Sequence, residues 1–128
     1  MIVGLGTDIV EIDRVRSMIE RHGQAFLERC FTPAECAYAE RHREPAPRFA
    51  GRWAAKEAVV KVLGTGFVKG ITFHDIEVLP DDNGRPHVTL TGGAAEIAQQ
   101  LGMDEILITI SHAREYATAT AIGIRQSR

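Results

Sequence analysis

The chain has 128 residues, 45% of them hydrophobic and 25% charged, which suits one domain with an ordinary core and lacks the bias that marks disorder. Lys and Arg number 15 against 17 Asp and Glu, a net charge of -2, so a polyanion binder held by overall charge is excluded and any anionic partner must be met by a local patch. The start of the chain reaches Asp8 too soon for a signal peptide or membrane span, and Cys30 and Cys36, the only cysteines, have neither a CxxC spacing nor a nearby histidine pair for zinc. The expectation is a cytoplasmic protein with reduced thiols, no zinc and no membrane segment.

No internal repeat, low-complexity tract or long linker divides the sequence, so residues 1–128 are expected to form a single domain. "MIVGLGTDIV" is rich in β-branched and small residues and predicts a strand, with Gly4, Gly6 and Asp8 on one face. Bare glycines beside an acid leave room for something to approach the backbone there. "EIDRVRSMIERHG" carries Ile12, Val15, Met18 and Ile19 at helical spacing with Gly23 as a stop, and Arg14, Arg16 and Arg21 lie off the apolar stripe. A short helical piece follows from Phe26 to Cys30. "FTPAEC" then provides Thr32 as N-cap, Pro33 at the first helical position and Glu35 at the third, predicting a helix from Pro33 to about Arg43.

"EPAP" breaks that helix, and the next is expected from about Pro47 to Leu63, ended by Gly64. "ITFHDIEVLPDDNGRPHVTL" predicts two strands about an Asn83-Gly84 turn, with Pro86 weakening the return. "TGGAAEIAQQLG" predicts a helix closed by Gly102. "EILITISHAREYATATAIGI" predicts two strands across a five-residue turn. The expected class is α+β, with an antiparallel sheet from the first strand and the later hairpins and helices packed on one side.

The helix leading to Leu63 raises the chemical question. Phe49, Trp53, Val60 and Leu63 define one apolar side, and Ala50, Ala54, Ala55, Ala58, Val59 and Val62 make most of the remainder small or apolar, so this helix is expected to be largely buried. Glu57 and Lys61 stand one turn apart on a shared face, and Arg52 and Lys56 make a second charged pair at the same spacing. As exposed helix pairs they would contribute only about 0.2 to 0.5 kcal/mol each. A carboxylate among Ala, Trp and Val side chains is costly without a partner, and a divalent cation is one of the few adequate ones. "GTG" at Gly64 to Gly66 reads either as a glycine cap or as a flexible rim whose amides approach an anion; it is not a Walker A loop. Hard oxygen ligands beside a lysine suited to phosphate point to Mg2+.

"GLGTDIVEIDRV", "FTPAE", "FAGRWAAKEAVVKVLGTG" and "ISHAREYATATAIG" together resemble the holo-acyl-carrier-protein synthases, the short bacterial type of 4'-phosphopantetheinyl transferase. The resemblance covers nearly the whole chain in the same order, with no departure at the motif positions. It implies transfer of phosphopantetheine from coenzyme A to a serine of apo acyl carrier protein, with Mg2+ as cofactor and adenosine 3',5'-bisphosphate leaving. It also implies Asp8 and Glu57 as metal ligands and catalytic groups. Lys61 would lie beside the diphosphate, Gly64, Thr65 and Gly66 at the nucleotide, and Arg52 and His112 on its phosphates. In-line attack of the serine hydroxyl on the β-phosphorus would be assisted electrostatically.

Other readings of single residues stand beside these. His112, at a strand end, is as readily a partner of the turn. Ser111 lacks a G-x-S-x-G elbow and points to the opposite strand face from His112, which argues against a hydrolase pair. Glu35 is explained by its capping box. The resemblance further implies a homotrimer with active sites between subunits, for which the small face of Ala117, Ala119 and Ala121 gives only faint support, since an ordinary internal strand would look the same. Because acyl carrier proteins are acidic as a family, it implies a basic docking surface, and Arg14, Arg16 and Arg21 are the candidates closest in sequence to Asp8. Two rival classes are a coenzyme A or nucleotide binding module without chemistry, which would not need both Asp8 and Glu57, and an RNA-binding domain using Arg41, Arg43, Arg48 and Arg52, which lacks aromatic interleaving.

Overall fold

A computed structural model describes residues 1–67 and 70–126. The elements run β1 (Ile2–Glu11), α1 (Ile12–His22), α2 (Gln24–Cys30), α3 (Pro33–Glu40), α4 (Pro45–Leu63), a 3-10 turn (Phe73–Asp75), β2 (Ile76–Pro80), β3 (Pro86–Leu90), α5 (Gly92–Gln100), β4 (Glu105–His112) and β5 (Tyr116–Ile124). The α+β class and the antiparallel pairing agree with the sequence reading. The strands divide into two sheets, a three-stranded one in the order β1-β5-β4 and a separate β2-β3 hairpin, rather than the single sheet expected from the first strand and both hairpins.

Boundaries moved where local chemistry outweighed periodicity. α3 stops at Glu40 rather than Arg43, and α4 begins at Pro45 rather than Pro47. Both prolines sit in the first turn of α4, where a missing N–H costs nothing and a preset φ helps. β2 starts at Ile76 rather than Ile71, because Thr72 and Asp75 cap one another and wind the intervening residues into a 3-10 turn. In the last hairpin Ser111 and His112 belong to β4, which leaves Ala113–Glu115 as the loop. Pro86 pairs with Pro80 at the turn end of the β2-β3 ladder, as the first residue of its strand, where a missing donor is tolerated.

α4 lies across the β1-β5-β4 sheet and is the centre of the core. The sheet face toward it is built from rows read across the three strands: Gly4–Gly123–Ile106, Gly6–Ala121–Ile108, Asp8–Ala119–Ile110 and Val10–Ala117–His112. The alanine face of β5 is therefore core, buried against α4, and is no subunit contact. The opposite face carries Leu5–Ile122–Leu107, Thr7–Thr120–Thr109 and Ile9–Thr118–Ser111.

β1 reaches α4 only because it lacks side chains there. A Cβ on Gly6 would lie 2.1 Å from the Ala58 carbonyl oxygen, and one on Gly4 would lie 2.8 Å from that of Val62. By contrast, a Cβ on Gly64 would meet nothing within 4 Å, and that residue is glycine for its φ of 77°. Gly6→Ala is accordingly expected to destabilise by about 2 kcal/mol or more, as overpacked cores do, against about 1 kcal/mol for Gly64→Ala from left-handed strain alone. Denaturant unfolding of the two variants checks this; a smaller loss for Gly6→Ala contradicts the backbone contact.

Candidate active site

The close seating of β1 carries Asp8 to the face of α4 that holds Glu57 and Lys61. The Thr118 hydroxyl donates to the Asp8 carbonyl at 2.8 Å and pins the strand at that residue. Lys61 Nζ donates to the Thr7 carbonyl at 2.7 Å and to Asp8 Oδ1 at 3.2 Å. Its ion pair is thus with Asp8 rather than with Glu57. Asp8 Oδ2 is buried with no hydrogen-bond partner. Glu57 is half-buried, and its carboxyl is pushed above the usual range first by desolvation and then by the negative charge of Asp8, with Lys61 opposing.

Two carboxylates thus share a notch, one with an orphaned oxygen, and a single lysine is too little compensation for both. Such an arrangement calls for a further cation. All-oxygen donors beside an ammonium suit Mg2+, which is held by one or two carboxylates and completes its shell with water and phosphate. Among the described residues no group of three or more His, Cys, Asp or Glu side chains is arranged to hold a metal, so this notch offers the pair alone.

The helix ends at a rim rather than an anion cradle. The Gly64 amide is taken up by the Val60 and Lys61 carbonyls, and the Thr65 hydroxyl donates to the Gly66 carbonyl at 2.9 Å. Gly64 and Gly66, both at positive φ with open space around them, give the chain a sharp exit beside Lys61. The amide of Gly64 is not free for phosphate.

Arg52 does not join these groups. It lies about 140° around the helix from Glu57, is buried, donates from Nε to the Val78 carbonyl at 3.3 Å and stacks its guanidinium over Tyr38 at 4.3 Å. Burial lowers its pKa, with Tyr38 and Glu35 opposing. A phosphate contact from Arg52 has no support in this arrangement; Arg48, one turn earlier, is the arginine that faces β4. It meets His112 with 2.8 Å between Nη1 and Nε2, and since Arg has no acceptor the ring nitrogen accepts, which leaves its proton on Nδ1. His112 is exposed and bonds to α4 rather than to its own turn.

Sequence reasoning missed Lys56. It is fully buried, as is Glu35, and the two form an ion pair of 2.7 Å. Glu35 does close the capping box with Thr32, and it also accepts from the Val78 amide at 2.8 Å. The desolvation logic applied to Glu57 would have found Lys56, which lies between Ala55 and the acid and next to Val59 and Val60 around the helix. The aromatic stack beside it, Trp53 on Phe73 and Phe73 on Phe67, left no periodic signal, because two of its rings come from the irregular segment after α4.

On α1, Arg14 and Arg21 are exposed and Arg16 pairs with Asp13. Arg16 also borders a groove of about 450 Å³ floored by Ile19, Leu27, Ala46 and Phe49, with Arg43 on its other side. A larger depression of about 1110 Å³ lies between β3, α5 and β4 and contains none of Asp8, Glu57 and Lys61. Cys30 and Cys36 are free thiols whose pKa values burial pushes up. Among the described residues no helix is long and apolar enough to cross a membrane.

Comparison with known proteins identifies the family. The family described as the 4'-phosphopantetheinyl transferase superfamily matches residues 4–121. A holo-[acyl-carrier-protein] synthase of Protochlamydia amoebophila is 47% identical over 122 residues, 95% of this chain and 98% of that one. Among solved structures, the holo-[acyl-carrier-protein] synthase of Neisseria meningitidis superposes with a TM-score of 0.88 at 31% identity over 98% of this chain and 100% of its own. The corresponding enzyme of Bacillus anthracis, in complex with CoA (3',5'-ADP), superposes with a TM-score of 0.81 at 34% identity over 98% and 99%. The chain belongs to the 4'-phosphopantetheinyl transferase superfamily and, within it, to the holo-[acyl-carrier-protein] synthases.

Proposed function

We propose that this protein transfers the 4'-phosphopantetheine group of coenzyme A to a serine hydroxyl of apo acyl carrier protein, releasing adenosine 3',5'-bisphosphate, as a Mg2+-dependent cytoplasmic step of fatty acid biosynthesis. The observation that carries the reading is the orphaned, buried Asp8 Oδ2 in the notch shared with Glu57 and flanked by Lys61. Asp8 and Glu57 would hold the Mg2+, which supplies positive charge against the diphosphate of coenzyme A. Lys61 adds a second positive charge, already oriented by the Thr7 carbonyl before substrate arrives, so it stabilises charge developing on the leaving bisphosphate with little reorganisation. The β1 backbone, pinned by Thr118 and seated on α4, keeps Asp8 opposite Glu57 throughout. Arg48 and His112, at the far end of the helix, offer a polar pair for the remaining phosphate.

Mass spectrometry of apo acyl carrier protein incubated with the enzyme, coenzyme A and Mg2+ is expected to show the phosphopantetheine adduct, and none with chelator. Asp8→Asn or Glu57→Gln removes a ligand charge while keeping its shape, and either is expected to lower kcat by at least about a hundredfold, the scale of losing one preorganised charge at the transition state. Normal turnover at limiting Mg2+ in either variant would exclude that residue as a ligand.

The carrier docking surface follows from charge. An acidic carrier meets a protein of net charge -2 only through a local patch, and the exposed Arg14 and Arg21 on α1, with Arg16 behind them, directly follow the strand of Asp8. Arg14→Glu is expected to raise KM for the carrier about tenfold with KM for coenzyme A nearly unchanged, and to flatten the salt dependence of carrier binding. Equal effects on both substrates would put the carrier elsewhere.

A homotrimer accounts for the sheet face that α4 leaves open. Leu5 and Ile9 are 67% and 64% exposed there, with Leu107 and Tyr116 also uncovered, and burying one such side chain is worth about 1.5 to 3 kcal/mol. Light scattering is expected to give three times the mass of 14.1 kDa for the wild type and a monomer for Leu5→Asp. A monomeric wild type would overturn the assembly.

A further inference from the structure

Glu35 and Lys56 form the most fully enclosed pair of charges among the described residues, both at 0% exposure, and the transfer chemistry does not use them. Their position explains why they are there. Glu35 takes the Thr32 amide at 2.9 Å and the Val78 amide at 2.8 Å, so it joins the start of α3 to β2. Lys56, held by Glu35 at 2.7 Å, donates its remaining reach to the Phe73 carbonyl at 2.9 Å. Phe73 is the first residue of the 3-10 turn, and its ring lies between Trp53 and Phe67, with centroids 6.3 Å and 4.0 Å away. Trp53 precedes Glu57 by one helical turn on the same side of α4, and Phe67 follows the Gly64 to Gly66 rim.

We propose that Lys56 and Glu35 are positioning residues for the transfer: the pair fixes the rotation of α4 and anchors Phe73, so that the Trp53–Phe73–Phe67 stack stands as a rigid wall along the side of α4 that carries Glu57. Three elements and the returning segment meet at one carboxylate and one ammonium, and neither charge has water to turn to. α4 cannot rotate without breaking a buried bond, and the 3-10 turn cannot slide along it without losing the Phe73 carbonyl. Wholly apolar packing would hold the same elements together but would specify their register less uniquely, since apolar cores lose uniqueness before they lose stability. This inference rests on the reading under Proposed function only for its kinetic arm.

The test has a second arm that needs no substrate. Trp53 is the only tryptophan in the chain, so its fluorescence reports the wall directly. Lys56→Met removes the anchor, and Glu35→Gln/Lys56→Met removes both charges together, which avoids leaving a buried carboxylate alone and is expected to recover most of the lost Tm. In both variants Trp53 emission is expected to move to longer wavelength. kcat per folded molecule is expected to fall by at least about tenfold, as a misplaced reacting group causes, with KM for coenzyme A changed by less than about threefold. A double variant with recovered Tm, wild-type emission and wild-type kcat would overturn the proposal, because it would reduce the pair to structural support. Phe73→Leu keeps the ion pair and tests the far end of the relay whether or not the core variants fold. It is expected to shift Trp53 emission and lower kcat with little change in Tm, and unchanged emission and kcat would equally overturn the proposal. If the wild type transfers nothing, the functional reading fails and the emission arm still decides the positioning role.

Discussion

The approach of the Gly6 backbone to the Ala58 carbonyl, too close for any Cβ, is the constraint on which the site depends. Sheet and helix layers ordinarily stand about 10 Å apart because side chains fill the space between them. Here β1 presents Gly4 and Gly6, β5 presents Ala117, Ala119 and Ala121, and α4 answers with Ala54, Ala55 and Ala58. Small residues on both sides bring the layers together, so the short side chain of Asp8 can share a notch with Glu57 and reach the ammonium of Lys61. A conventional Val or Ile at position 6 would lift β1 from the helix and separate the acids. The composition of the core and the chemistry of the site are one requirement.

Two acids in this protein meet burial in opposite ways, and the contrast separates structural from functional charge. Glu35 is fully buried and satisfied, by two backbone amides and the Lys56 ammonium. Asp8 has one oxygen on Lys61 and the other on nothing. Leaving a buried carboxylate oxygen unpaired costs on the order of 1–3 kcal/mol, and the fold had the means to avoid that, as Glu35 demonstrates. Among the described residues the other buried side-chain polar atom without a partner is Arg48 Nε, a donor on a cation, so Asp8 is the one acid left unsatisfied there. An unsatisfied acid facing a second acid is the physical signature of a group kept ready for a ligand. The raised pKa of Glu57 comes from the same crowding.

Much of this was legible in the sequence. The element order, the cap of α3 at Thr32, the glycine exit of α4 and the turn of the middle hairpin all follow from local chemistry that a single stretch of chain carries, whereas the separation of that hairpin from the other sheet does not. Glu57 and Lys61 were accessible because a charged residue in an alanine-rich helix is conspicuous, and Asp8 because it stands beside bare glycines on one strand face. What escaped was set by elements distant in sequence. Whether Lys56 or Arg52 faces inward depends on where β2 and the 3-10 turn pack, and the partners that hold them, Glu35, Val78 and Phe73, lie from 17 to 26 residues away. The spacing that sets Arg52 one turn from Lys56 was correct, but spacing alone did not say what surrounds either side chain. The alanine face of β5 was ambiguous for the same reason, since a strand covered by its own helix and one covered by a neighbouring subunit have the same alternation.

α4 brings these threads together, because each angular sector of the helix has a different task. Ala54 and Ala58 admit the sheet. Lys56 reaches outward from the sheet to Glu35 and Phe73 and sets the rotation of the helix. Trp53, Glu57 and Lys61, spaced one turn apart, form the stripe that faces the site, running from an aromatic wall through a carboxylate to an ammonium at the glycine rim. Because 3.6 residues make a turn, neighbours in sequence such as Lys56 and Glu57 diverge by about 100°, so a clamp and the acid that faces Asp8 can be adjacent without competing for the same partner. A rotation of α4 by even a fraction of that angle would swing Glu57 away from Asp8 and draw Lys56 out of its buried pair together. The reactive geometry is therefore guarded by the cost of exposing or stranding a buried charge, a steeper penalty than the loss of apolar contact alone.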